Sequence, residues 1–105
     1  MHYDSPMAVL TSRQKQFLKG LAHSLSPVVR VGRGRVSDAV VEETKKSLAS
    51  HELIKVRIDS DDSAARKELA AKLADAADAQ IAGMVGKTLI LYRRRDEEPE
   101  IKLPQ

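Results

Sequence analysis

The chain has 105 residues, 42% hydrophobic and 31% charged, with a formal net charge of +3. That size gives one domain with a single core and no large second lobe. It holds no cysteine, which excludes disulfides, thiolate zinc sites and cysteine nucleophiles. Aromatic residues are limited to Tyr3, Phe17 and Tyr92, which argues against a platform or groove that stacks bases on exposed rings. No apolar run approaches the ~20 residues of a membrane span. Met1-His2-Tyr3-Asp4-Ser5-Pro6 lacks the basic-then-apolar layout of a signal peptide, so a cytoplasmic location is expected.

Thr11 with Gln14 three residues later has the pattern of a capping box. Leu10, Gln14, Phe17, Leu18 and Leu21 then recur at helical spacing, which predicts a first helix over residues 11 to 22. Lys15 and Lys19 fall on its polar side. Pro27 to Val31 is short, apolar and β-branched, a first strand. Ser37 and Asp38 open a second helix with Val40, Val41, Thr44 and Leu48 inward, ending near His51, which is expected to cap it. Leu53 to Ile58 alternates, with Ile54, Val56 and Ile58 on one face and Lys55 and Arg57 on the other, as in a strand buried on one face. Asp61 or Asp62 caps a third helix in the alanine-rich run 64–79, with Ala65, Leu69, Leu73 and Ala76 inward. Ala79 to Val85 and Thr88 to Tyr92 read as strands joined by a two-residue hairpin. Gly86 there takes the first central position of a type II′ turn. Thr88 to Tyr92 is apolar on both faces and therefore central. The order α-β-α-β-α-β-β predicts a single α/β domain, a mixed four-stranded sheet with helices packed on it.

Charge is unevenly spread. Residues 5 to 37 contain no acid and six bases: Arg13, Lys15, Lys19, Arg30, Arg33 and Arg35. Residues 59 to 78 hold six acids against three bases. Two of the arginines lie in Gly32-Arg33-Gly34-Arg35, between the first strand and the second helix. Glycine lets a backbone approach a phosphate closely, and a helix N-terminus adds free N–H groups and a favourable dipole. A one-sided basic surface built this way suits a nucleic-acid backbone.

Enzyme patterns are absent. His2, His23 and His51 have no metal-site spacing, and there is neither G-x-S-x-G nor a Walker loop. Gly32 to Ser37 approaches the dinucleotide fingerprint G-x-G-x-x-G, with Asp59 placed as a ribose-binding acid. A nucleotide-binding domain is thus an alternative. Against it, the chain is too short for both mononucleotide halves, and Ser37 replaces the last glycine. No metal or cofactor is expected.

Four blocks in order carry a family resemblance: Leu18-Lys19-Gly20-Leu21-Ala22-His23; Pro27-Val28-Val29 with Gly32; His51-Glu52-Leu53-Ile54-Lys55-Val56; and Gly86-Lys87-Thr88-Leu89-Ile90-Leu91-Tyr92-Arg93. Together they resemble the YhbY-like CRM domain (chloroplast RNA splicing and ribosome maturation) over residues 10 to 104, including Ile101-Lys102-Leu103-Pro104. The resemblance implies a fold similar to the C-terminal domain of bacterial translation initiation factor three. It also implies a non-catalytic RNA-binding protein, in its stand-alone bacterial form associated with precursors of the large (50S) ribosomal subunit and so with ribosome biogenesis. Family members carry a KH-like G-x-x-G loop that clamps RNA backbone. Here that loop is Gly32-Arg33-Gly34-Arg35, with arginine in the last place. A positive φ at Arg35 would cost about 1 kcal/mol or more, and Gly34 can take that conformation instead.

The expected RNA-binding residues are Gly32, Arg33, Gly34, Arg35, Arg13, Lys15, Lys19 and Arg30, with His23, Lys55, Arg57, Lys87 and Arg93 as further candidates. The expected partner is ribosomal RNA of the large-subunit precursor, with ribosomal proteins as further candidates, for a monomer without membrane contact. A protein-binding adaptor in ribosome assembly is the alternative from another class. Residues 1–9 form an N-terminal extension, 10–95 the domain and 96–105 a charged tail whose alternating Ile101 and Leu103 can dock on it.

Overall fold

Helices and strands alternate along the chain in the computed structural model, which describes residues 9–32 and 35–105. The elements are α1 (Ser12–Ala22), β1 (Pro27–Val31), α2 (Asp38–His51), β2 (Leu53–Ile58), α3 (Ser63–Ala76), β3 (Gln80–Val85) and β4 (Thr88–Tyr92). Apart from Val9, the expected N-terminal extension lies outside the described residues.

Local chemistry sets the helix starts. The Thr11 hydroxyl accepts the Gln14 N–H at 3.1 Å, and the Gln14 side chain accepts the Thr11 N–H at 3.0 Å, a complete capping box. Ser37 caps α2 through Val40 N–H, and Asp62 caps α3 through Ala64 N–H. Gly86 has φ +58°, whereas Lys87 is not among the positive-φ residues, as a type II′ hairpin requires.

The sheet order is β1-β2-β4-β3, with β1 parallel to β2 and β4 antiparallel to both its neighbours. This is the expected mixed sheet with β4 inside. Its two faces bury different sets of side chains. On one face, Val29, Val31, Ile54, Val56, Ile58, Leu89 and Leu91 meet Leu48 of α2 and Leu69, Ala70, Leu73 and Ala74 of α3. On the other face, Leu53, Ala82, Ile90 and Tyr92 meet Leu10, Leu18 and Ala22 of the α1 segment. Ile101 and Leu103 of the C-terminal tail pack onto this second core.

Four local expectations change. Phe17 and Leu21 are 39% and 43% exposed, whereas Leu18 and Ala22 are fully buried. α1 is rolled so that the Lys19 stem lies on Gly83, the only position in β3 without a Cβ, where an added methyl would meet Lys19 Cε at 2.3 Å. Lys19 is therefore not simply on the polar side. In α3, Ala70 and Ala74 are buried, as is Ala77 at its C-cap, and Ala76 is exposed, because an alanine-rich run gives little contrast by which to place a stripe. That helix ends at Ala76, and Asp78 at φ +55° turns the chain toward β3.

The fourth change is at the end of α2. Its C-cap is Glu52 rather than His51, with φ +60° and a side chain that is completely buried. Glu52 Oε2 accepts the Arg95 N–H at 2.9 Å, and Oε1 accepts those of Glu100 and Ile101 at 2.8 and 2.9 Å. Burial by itself would raise this carboxyl's pKa. The three backbone donors, with Arg95 nearby, outweigh that and hold it below the usual glutamate range. One carboxylate thus ties the tail to the end of α2.

Candidate nucleic-acid interface

The strand register decides which basic side chains share a surface. Residues paired across strands point to the same side of a sheet. Pro27, Lys55, Ile90 and Gly83 form one rung across all four strands, and α1 lies over it. Lys19 covers Gly83 there, and Lys55 Nζ reaches the carbonyl oxygens of His23 and Leu25 at 3.3 and 2.9 Å. Further along on the same face is the rung Arg30-Arg57-Thr88-Val85. It is largely open: the Arg30 and Arg57 side chains are 72% and 47% exposed, and Val85 is exposed too. A shelf of sheet surface therefore separates α1 from the loops that follow β1 and β2 and from the β3–β4 hairpin. An open groove of about 550 Å³ runs along the β1 edge beside it, lined by Pro27, Val28, Arg30, Glu43 and Arg57 among others.

The glycine-arginine turn stands at this end of the sheet. Gly32 is exposed, and the Arg35 N–H donates to its carbonyl at 3.3 Å, closing the turn. Arg35 is exposed. The expected roles of Arg33 and Gly34 fall on residues outside those described. Ser37 follows, and the free N–H groups at the start of α2 lie next to the turn.

Acids sit among these cations. Asp59 Oδ1 accepts Arg57 Nε at 3.3 Å, and Oδ2 accepts Arg30 Nε. The Arg30 hydrogen bond, helped by Arg57, holds the Asp59 carboxyl below the usual aspartate range. Asp59 in turn raises the Arg30 guanidinium. Lys87 Nζ meets Asp61 Oδ1 at 2.7 Å, which lowers that carboxyl. Such exposed pairs contribute little to stability.

The structure thus gathers Gly32, Arg35, Arg30, Arg57 and Lys87 at one end of the sheet, with Lys19 on the neighbouring helix and Lys15 one turn before it. Lys55 is committed to carbonyl oxygens at the C-terminal end of α1, and His23 is exposed beside it. Two candidates are set apart. Arg13 Nη1 reaches the Gln105 carbonyl at 3.5 Å, and Arg93 lies at the opposite end of β4, 3.7 Å from Asp78. Asp59, marked in the sequence only as a possible ribose-binding acid, has its carboxylate taken by two arginines, and the sheet is not doubly wound. Its position two residues after Arg57 was legible; the Arg30–Arg57 pairing that gives it two partners was not. Among the described residues no group of three or more His, Asp or Glu could hold a metal, and no helix is long and apolar enough to cross a membrane.

Known proteins are similar to this chain in sequence, and a solved structure is similar to it in fold. The Bacillus subtilis protein named Probable RNA-binding protein YqeI is 33% identical over 96 residues, covering 91% of this chain and all of that protein. A Haemophilus influenzae protein named RNA-binding protein is 38% identical over 99 residues, covering 94% of this chain and 99% of its own. The solution structure of the Staphylococcus aureus hypothetical protein SAV1595 superposes with a TM-score of 0.82 at 32% identity, covering 91% of this chain and 100% of that one. The model of the CRS1/YhbY (CRM) domain matches residues 10–93. With that match and relatives aligned along nearly their whole length, the chain belongs to the CRS1/YhbY (CRM) domain family.

Proposed function

We propose that this chain binds RNA by its backbone, as a non-catalytic cytoplasmic factor acting on the precursor of the large ribosomal subunit. The observation that carries the reading is the convergence of the Gly32–Arg35 turn with the open Arg30-Arg57 rung at one end of the sheet. Relatives named as RNA-binding proteins support it. In this reading Gly32 and Gly34 admit the backbone and Arg33 and Arg35 pair with phosphates. Arg30 and Arg57 continue the contact across the sheet, and Lys15 and Lys19 along α1. Each phosphate neutralised steepens the log–log salt dependence of binding by about 0.9 for duplex and 0.7 for single-stranded nucleic acid.

The test is a sucrose gradient of cell lysate at low and moderate salt, with and without Arg33→Glu/Arg35→Glu. Co-migration with large-subunit precursors, weakened by salt and lost in the variant, is expected. Residence at the top of the gradient at every salt refutes the assembly role. A second reading draws on exposed Phe17 and Leu21, one turn apart on α1, as a protein-docking face. Pull-downs before and after nuclease treatment separate the two, since RNA-mediated partners are lost with the RNA.

A further inference from the structure

We infer that Asp59 is a positioning residue that holds Arg30 and Arg57 together as one two-arginine seat for a backbone phosphate. The inference rests on the RNA-binding reading above and goes further, because net charge alone gives the opposite expectation for this acid. Removing a negative charge from a polyanion-binding surface should tighten binding.

The geometry favours positioning over competition. Arg30 and Arg57 are partners on one rung, so their side chains leave the same face of the sheet side by side. Asp59, two residues beyond Arg57, takes one guanidinium on each carboxylate oxygen, and both bonds are made through Nε. The Nη groups of neither arginine bond to another group among the described residues. They remain available for the planar, forked hydrogen bonding that suits a phosphate. The acid is also fixed from behind: its N–H donates to the Val31 carbonyl at 3.0 Å, and its side chain is only 24% exposed, against 72% and 47% for the arginines. An arginine already held in place loses less freedom on binding than a free one. Lys87 and Asp61, nearby, make the contrasting pair. Asp61 is almost fully exposed, and its partner is an ammonium without a fork.

Asp59→Asn and Asp61→Asn each remove one negative charge from the same end of the molecule by an isosteric change. We would measure fluorescence anisotropy of a labelled RNA stem-loop and of a labelled oligouridylate at two salt concentrations. Thermal melts would confirm that each variant is folded. Asp59→Asn is expected to bind about three- to tenfold more weakly, from the lost ordering of two side chains, whereas Asp61→Asn binds as well as the parent or better. Arg30→Lys/Arg57→Lys, which keeps both charges and loses the forks, is expected to weaken binding as Asp59→Asn does. Tightening by Asp59→Asn equal to that of Asp61→Asn, or parent-like binding by the double lysine variant, overturns the inference and leaves RNA binding standing. If the parent protein binds neither probe even at low salt, the RNA-binding reading itself fails, and this inference with it.

Discussion

Replacing Glu52 by Gln is expected to cost about 3 kcal/mol, far more than an ordinary isosteric change. The carboxylate is completely buried and accepts three backbone N–H groups, those of Arg95, Glu100 and Ile101. In the amide, Oε1 can keep Glu100 and Ile101, but as a neutral acceptor, a loss of about 1 kcal/mol per bond. The amide nitrogen then faces the Arg95 N–H, donor against donor, which costs about 1 kcal/mol or more. The φ of +60° at this position is unchanged and does not enter the difference. An unfolding entropy of about 2.1 cal/mol/K per residue gives about 0.22 kcal/mol/K for the 105 residues, so the loss lowers the melting temperature by about 14 °C. Circular dichroism melts at neutral pH measure it. In a chain ending at Pro99 the partners Glu100 and Ile101 are gone, and the same change should cost only about 1 kcal/mol, since interacting groups are not additive. A full-length drop below about 4 °C, or an equal drop in both backgrounds, would refute the view that this carboxylate ties the tail to α2.

Other outcomes follow from the same structure. Leu18→Ala removes a fully buried side chain beneath α1 and is expected to cost about 2–5 kcal/mol, whereas Phe17→Ala, on the exposed side, stays below about 1 kcal/mol; urea midpoints distinguish them, and equal losses would mean that α1 is rolled the other way. Gly86→Ala forces a Cβ into φ +58° at the hairpin and should cost about 1 kcal/mol or more, seen as a lower midpoint with unchanged m-value. Stability should also fall on acidification. The Glu52 carboxyl is depressed in the folded protein, so its contribution is complete above the unfolded glutamate pKa of about 4.3 and is lost as pH drops through the lower folded value. Midpoints should hold down to about pH 5 and then decline, with a shallower decline in Glu52→Gln; a midpoint that rises below that pH contradicts the assignment.

Much of the fold was legible because it rests on short-range chemistry. Thr11 with Gln14, Ser37 with Asp38, and the pair Asp61 and Asp62, of which Asp62 is the cap, placed the helix starts within a residue or two, since an N-cap needs only a side-chain oxygen near its own helix. The Gly86-Lys87 hairpin and the two-sided apolar run of β4 put that strand inside the sheet. Of the candidate site, the sequence showed the basic segment, the glycine-arginine motif and the alternating strand. Phe17 and Leu21 were misplaced because an apolar stripe wider than the contact surface does not say which edge is covered. A glycine in β3 and a tail far along the chain settle that question.

The elements, their order and the concentration of positive charge before Ser37 can be read along the chain, because capping, periodicity and turn chemistry act within a few residues. Tertiary structure alone decided that Arg30 stands beside Arg57 with Asp59 between them, that Arg93 lies at the far end, and that Glu52 holds the tail. Each of these depends on strand register or on chain segments distant in sequence. A register slip of one residue would turn Arg30 and Arg57 into the core without changing a single local preference.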